Sequence, residues 1–181
     1  MIIRDASPDD APVLAAIYGH HVLHGAGTFE ETPPSPAEMA SRVAAVRARN
    51  LPYLVAEDAG AVLGFAYASP FRPRAAYRYT AEDSVYMAPG QAGKGVGKAL
   101  VTAVIERCTA LGLRQLVAII GGSDNAASIG LHRSLGFELK SVMPAVGFKH
   151  GRWQDIVWMQ RALDTGSAEL PSGAGLDLGG G

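Results

Sequence analysis

Apolar and polar positions alternate along this chain in two rhythms, one of period two and one near 3.6, and together they outline eleven elements. Ile2-Ile3-Arg4 predicts a short strand. Leu14, Ile17, Tyr18 and Val22 then recur at helical spacing behind Ser7-Pro8-Asp9-Asp10, a capping-box pattern in which Pro12 shifts the effective cap toward Asp10. Thr28 to Pro34 predicts a loop. Ser35-Pro36-Ala37-Glu38 is a cleaner cap, with proline at N1 and glutamate at N3, and opens a helix carrying Met39, Val43 and Val46. Tyr53 to Glu57 and Ala61 to Ser69 read as a hairpin turning at Asp58-Ala59-Gly60, and Pro70 to Tyr77 as a basic, proline-containing loop.

Tyr79 to Met87 predicts an extended strand. Its alternation puts Glu82, Ser84 and Tyr86 on one face and Asp83, Val85 and Met87 on the other, so only one of the two acids faces a site directly. Val96, Leu100, Val101, Val104, Cys108 and Leu111 form the stripe of a helix stopped by Gly112. Leu116 to Ile120 is continuously apolar, as in a strand covered on both faces. Asn125 to Leu135 predicts a helix ended by Gly136, and Phe137 to Val146 with Trp153 to Arg161 an antiparallel pair. The order β-α-α-β-β-β-α-β-α-β-β predicts an α+β domain layered around a mixed sheet over residues 1–163. Residues 164–181, rich in Gly, Ser and Pro, predict a disordered tail.

Composition narrows the reading. With 181 residues, 48% of them hydrophobic, the chain suits one domain with a real core, and 16 Lys/Arg against 17 Asp/Glu gives no basic footprint for nucleic acid or a membrane surface. No apolar run approaches the ~18 residues of a membrane span. The N-terminus meets charge at once, without a signal-peptide core, so a cytoplasmic protein is expected. Cys108, the one cysteine, falls on a helix stripe and predicts a buried thiol.

The candidate chemistry begins at Gln91-Ala92-Gly93-Lys94-Gly95-Val96-Gly97-Lys98, between a strand and a helix. Glycines at alternate positions let the backbone approach a ligand, and the helix start adds unpaired N–H donors and the positive end of its dipole. Those are the parts of a pyrophosphate site. A Walker A loop fails here at Ala92 and Ala99, and a dinucleotide fingerprint fails at Lys98. Gln/Arg-x-x-Gly-x-Gly/Ala fits, and it resembles the acetyl-CoA loop of the GNAT N-acetyltransferases. Taken alone, the loop leaves a ligand-free glycine turn equally open.

Further segments extend the resemblance. Phe71-Arg72-Pro73-Arg74, Tyr79 to Tyr86, Leu131-His132-Arg133-Ser134-Leu135-Gly136-Phe137 and Gly147-Phe148-Lys149-His150-Gly151-Arg152-Trp153, with the glycine loop, resemble the phosphinothricin and methionine-sulfoximine N-acetyltransferase branch of that family over roughly residues 2–162. The resemblance implies the GNAT three-layer domain, a mixed central sheet with helices on both faces, with acetyl-CoA as co-substrate and no metal. It makes Glu82 the candidate general base, since an α-ammonium must lose a proton before it attacks and a placed carboxylate contributes typically ~10²–10⁴-fold. It implies that Val85, Tyr86 and Met87 run beside the pantetheine arm, with the Met87 N–H facing the thioester oxygen. Gly93, Lys94, Gly95, Val96, Gly97 and Lys98 then cradle the pyrophosphate.

Asn125 is placed beside the CoA arm, with plain helix capping as its other role. His132 stands where many GNAT enzymes carry a tyrosine proposed to protonate the thiolate; packing is its plainer role. Arg72 and Arg74, whose guanidinium forks suit an anionic group, are the candidate substrate selectors, joined by Phe29, Glu30 and Ser84. Lys149 to Trp153 either line the same pocket or come from a second subunit. His20, His21 and His24 lack the companions of a metal site. The expected protein is an acetyl-CoA-dependent N-acetyltransferase acting on the α-amino group of a small amino-acid-like substrate, and a homodimer. Other amines (a polyamine, an aminoglycoside, a protein N-terminus) and a non-catalytic acyl-CoA-binding module remain the alternatives.

Overall fold

The computed structural model describes residues 1–178. Strands β1 (Ile2–Asp5), β2 (Tyr53–Asp58), β3 (Ala61–Pro70), β4 (Thr80–Met87), β5 (Gln115–Gly121), β6 (Glu138–Lys149) and β7 (Arg152–Ala162) form a seven-stranded sheet in the order β1-β2-β3-β4-β5-β7-β6. Helices α1 (Ala11–His24) and α2 (Pro36–Arg47) cover one face, and α3 (Val96–Ala110) and α4 (Ala126–Ser134) the other. Class and element order are those the hydrophobic pattern predicts. Asp10 stands at the start of α1, after a 3₁₀ turn over Pro8–Asp10, and the Ser35 side chain accepts the Glu38 N–H at 3.1 Å.

Alternation sorts the two cores. Tyr53, Val55, Phe65 and Tyr86 pack under α1 and α2, whereas Leu54, Ala56, Ala66, Ala81, Leu116 and Ala118 pack under α3. Cys108 lies in the second core, fully buried.

One irregularity of the sheet creates a site. β4 and β5 pair in parallel only from Thr80↔Gln115 to Asp83↔Ala118, and every other neighbouring pair is antiparallel. Beyond Asp83 the two strands diverge, β4 keeping β3 and β5 keeping β7. A parallel sheet opened in this way leaves main-chain donors and acceptors facing a gap.

Past Leu163, where composition predicts a loose tail, the described residues to Leu178 run back over the starts of β4 and β5. The Leu176 N–H reaches the Arg78 carbonyl at 2.8 Å, Tyr79 OH donates to the Gly173 carbonyl at 2.5 Å, and Leu176 is buried against the core. Two leucines, Leu176 and Leu178, give the segment something to bury, which an average over its glycines hides. Gly179 to Gly181, part of the same expectation, lie outside the described residues.

Candidate active site

A cleft of about 500 Å³ occupies the gap between β4 and β5. Its walls are Asp83 to Met87 of β4, Ala118 to Gly121 of β5, the glycine loop, the start of α4 and, from α1, His21. A larger but shallower groove of about 600 Å³ lies behind α3, toward Ile3 and Leu54. It is lined by Ile3, Leu54 and α3 side chains, and none of Val85, Met87, Asn125 and His132 opens into it; the chemistry belongs to the cleft.

The orientation of β4 follows from its partners. The Ala88 N–H bonds to the Leu63 carbonyl on the β3 side, and the Tyr79 carbonyl accepts from Arg114 and Gln115 on the β5 side. Main-chain direction alternates along a strand, so Val85 and Met87 turn their N–H and C=O groups toward β5, into the cleft. The Met87 carbonyl is taken by His21, whose Nε2–H donates to it at 2.8 Å. Burial pushes the His21 pKa below its ordinary value. The Met87 N–H and both Val85 groups face the cleft as a strand edge would.

The glycine loop closes one end. Gly93 and Gly95 hold φ of 77° and 81°, conformations that side chains resist, and nothing lies within 4 Å of where a Cβ would stand on either. Gly95 precedes α3 without any side-chain cap, leaving the helix N-terminus to an outside acceptor. An anionic pyrophosphate fits this arrangement. Gly93, Gly95, Gly97 and Lys98 line the cleft. Val96 is buried in the core, and Lys94 turns out to Gln91, with Nζ 3.2 Å from Oε1, so neither side chain reaches the wall. Asn125 lines the cleft and caps α4 at once: its Oδ1 accepts the Ser128 N–H at 3.2 Å and its Nδ2 donates to the Gly121 carbonyl at 3.3 Å.

Glu82 opens to the other face of β4, half-buried beside Tyr67 and Ser84. Burial raises its pKa above the ordinary carboxylate value, opposed by the charge of Arg72. Arg72 is exposed, its guanidinium 4.5 Å from the Phe71 ring, and Phe71 is anchored edge-on to Tyr77 and Trp158. Arg74 is exposed at the start of the 3₁₀ turn Ala75–Tyr77. Ser84 shares the cleft wall and lies opposite Tyr67 in the β3 register. The Tyr86 side chain packs instead in the α1 core, edge-on to Tyr18 at 4.8 Å.

Glu30 is committed within the chain. Its Oε1 accepts from Tyr18 OH at 2.8 Å and from Arg42 Nη1 at 2.8 Å, while its Oε2 accepts from Arg42 Nη2 at 3.0 Å. Next to it, Phe29 lies across β5 and β6 at the rim. Lys149 turns inward, with Nζ 2.9 Å from the Gly25 carbonyl and 2.7 Å from that of Thr28, so it clamps the α1–α2 loop of its own chain.

Asp83 and His132 were not legible as a pair. His132 is buried on α4, its Nε2 3.0 Å from Asp83 Oδ2 and its Nδ1 2.8 Å from the Ser128 carbonyl. A carboxylate and a carbonyl both accept, so the protonated imidazole is the form that satisfies both partners. Burial alone lowers the imidazole pKa, but the Asp83 carboxylate outweighs it and the value stands above the ordinary one. Among the described residues, no group of three or more His, Cys, Asp and Glu side chains is placed to hold a metal ion.

Comparison with known proteins agrees with this geometry. The acetyltransferase (GNAT) family matches residues 20–137. The phosphinothricin N-acetyltransferase of Alcaligenes faecalis is 52% identical over 170 residues, covering 94% of this chain and 85% of that protein. The L-methionine sulfoximine/L-methionine sulfone acetyltransferase of Pseudomonas aeruginosa is 49% identical over 166 residues, 90% of this chain and 94% of its own. The crystal structure of a GNAT superfamily phosphinothricin acetyltransferase from Sinorhizobium meliloti in complex with AcCoA superposes with a TM-score of 0.91 at 52% identity, covering 94% of this chain and 92% of that one.

Proposed function

The chain belongs to the GNAT acetyltransferase family, and from that premise we propose that it acetylates the α-amino group of a small anionic amino-acid analogue of the phosphinothricin, methionine sulfoximine or methionine sulfone type. The observation that carries the reading is the opened β4–β5 edge, with the glycine loop at one end and a half-buried carboxylate, Glu82, on the same strand. Acetyl-CoA is the donor and supplies an activated thioester.

In this reading the main chain of Val85 pairs with the pantetheine amides as a missing β5 would. The Met87 N–H donates to the thioester oxygen as charge develops there, a contribution of up to a few kcal/mol. Gly93, Gly95, Gly97 and Lys98 hold the pyrophosphate, and Asn125 flanks the arm. Glu82 takes the ammonium proton, directly or through one water, and Arg72 and Arg74 bind the anionic group of the amine. Cys108 is no acyl carrier, since burial pushes its thiol up to about 12, so transfer is direct within a ternary complex.

The reading includes a cytoplasmic homodimer. β6 is an edge strand with Leu139, Val142, Met143, Val146 and Phe148 all exposed, beside Trp153 at 66% exposure. So long an apolar edge calls for a cover, and a second copy supplies one. Val142→Lys combined with Val146→Lys is expected to convert a dimer into a monomer in sedimentation; sedimentation of the unaltered chain as a monomer removes the dimer.

The deciding experiment measures release of free CoA thiol from acetyl-CoA with phosphinothricin, methionine sulfoximine, methionine sulfone, a polyamine and an aminoglycoside. Release with the first three is the expected result. Release with the polyamine or aminoglycoside alone overturns the substrate class, and binding of acetyl-CoA without release from any amine favours a non-catalytic module.

A further inference from the structure

We propose that Gly147 is a specificity-determining residue for the amine, because its missing side chain is the space in which the Phe29 ring lies. The assignment rests on the function proposed above, together with the place of Phe29 among the candidate substrate selectors.

A Cβ on Gly147 would stand 2.6 Å from Phe29 Cδ2, 2.9 Å from Cζ and closer still to Cε2. Real side chains do not approach so near, so any larger residue must move the ring. Gly147 is not among the residues of positive φ, so its backbone is open to alanine, and the ring alone calls for glycine. Gly121 of β5 repeats the device from the other side: a Cβ there would meet Phe29 Cε1 at 3.2 Å and run into the Ala26 carbonyl oxygen. Gly121 lines the cleft, so Phe29 joins the β6 surface to the cleft wall.

The loop that carries Phe29 has little freedom to yield. Lys149, on the same face of β6 as Gly147, holds the Gly25 and Thr28 carbonyls, and His150 Nε2 stands 3.3 Å from Gly25 O. The Thr28 hydroxyl is bonded to Tyr18 OH at 2.8 Å. With the loop backbone clamped at both ends, a push from Gly147 is taken up by the ring, and the ring moves the rim. The β6–β7 register shifts between Met143 and Gly147, where Ala145 holds a φ of 55°, and this bulge turns Gly147 toward Phe29.

The test is a double-mutant cycle on the full-length enzyme: the unaltered chain, Gly147→Ala, Phe29→Leu and the double variant, assayed with methionine sulfoximine and its larger homologue buthionine sulfoximine. Gly147→Ala is expected to lower kcat/KM for methionine sulfoximine about tenfold, mainly through KM, with the acetyl-CoA KM within about twofold. Phe29→Leu is expected to raise the relative acceptance of the S-butyl homologue. Leucine lacks the ring edge that alanine at 147 would strike, so the double variant recovers most of the methionine sulfoximine activity.

Losses that simply add, or an equal loss at acetyl-CoA, would mean that Gly147 acts through the fold of β6 and would overturn the assignment alone. Thermal melting of all four proteins separates that case from unfolding. An unaltered enzyme silent toward every amine overturns the functional reading and this assignment together.

Discussion

Glu82→Gln is expected to lower kcat on the amino-acid substrate by about 10²–10³-fold while leaving the acetyl-CoA dissociation constant unchanged. The separation follows from where the side chain stands. Glu82 does not line the cleft that holds the glycine loop, so the amide change alters nothing the CoA arm touches. It does remove the one group on that face of β4 able to take a proton. An amine with a low pKa, such as a hydroxylamine analogue, arrives already deprotonated and is expected to lose far less. Equal losses for both amines would remove Glu82 from the proton transfer.

The pH dependence has a definite sign. Burial raises the Glu82 pKa, and Arg72 only partly offsets it. The acid limb of kcat/KM is therefore expected to lie above the ordinary carboxylate value, activity falling as pH drops through it, and to vanish in Glu82→Gln. The same shift acts on stability in the opposite sense. A carboxyl whose folded pKa is raised binds more protons in the native state, so its ionisation destabilises the fold as pH rises through that window. Glu82→Gln is thus expected to raise Tm slightly at neutral pH while activity collapses. A lost activity accompanied by a lower Tm would point to damaged packing instead.

The sequence shows its regular elements plainly because they rest on local rules. The alternation from Thr80 to Met87 separates Glu82 from Asp83 correctly, and the apolar run Leu116 to Ile120 is β5, covered on both faces. The glycine loop is legible because left-handed turns before a helix leave only glycine as a choice. Contacts across the fold are hidden. Nothing near Gly147 in sequence announces that Phe29 lies against it, since the two lie 118 positions apart and the cause is a void. His21 looks like one of three clustered histidines until the end of β4 is seen to offer it the Met87 carbonyl. Lys149 reads as a pocket or second-subunit residue, because nothing near it in sequence announces the α1–α2 loop carbonyls that it holds. Asp83 and His132, 49 residues apart, carry no local pattern that pairs them.

That pair carries the second large effect. His132→Leu is expected to lower stability by about 3–5 kcal/mol, or roughly 6–20 °C in Tm, because it strands a buried charge. Asp83 is 5% exposed, its Oδ2 is bonded only to His132, and its Oδ1 finds no hydrogen-bond partner among the described residues. Removing the imidazole therefore leaves a buried carboxylate without its donor, which costs more than the pair itself contributes. Removing both, as Asp83→Val with His132→Leu, is expected to restore most of the loss, since an apolar pair of similar volume asks for no donor. The pH trend fixes the origin. The folded pKa of His132 lies above its ordinary value, so the stabilisation is fully present below about 6.5 and fades as pH rises through the folded value. The unaltered enzyme is accordingly expected to lose this increment of Tm between pH 6 and pH 9, a fall absent from the double variant Asp83→Val/His132→Leu. The same fall in the double variant, or a double variant no better than His132→Leu, would assign the loss to the cavity left on α4 and not to the charge of Asp83.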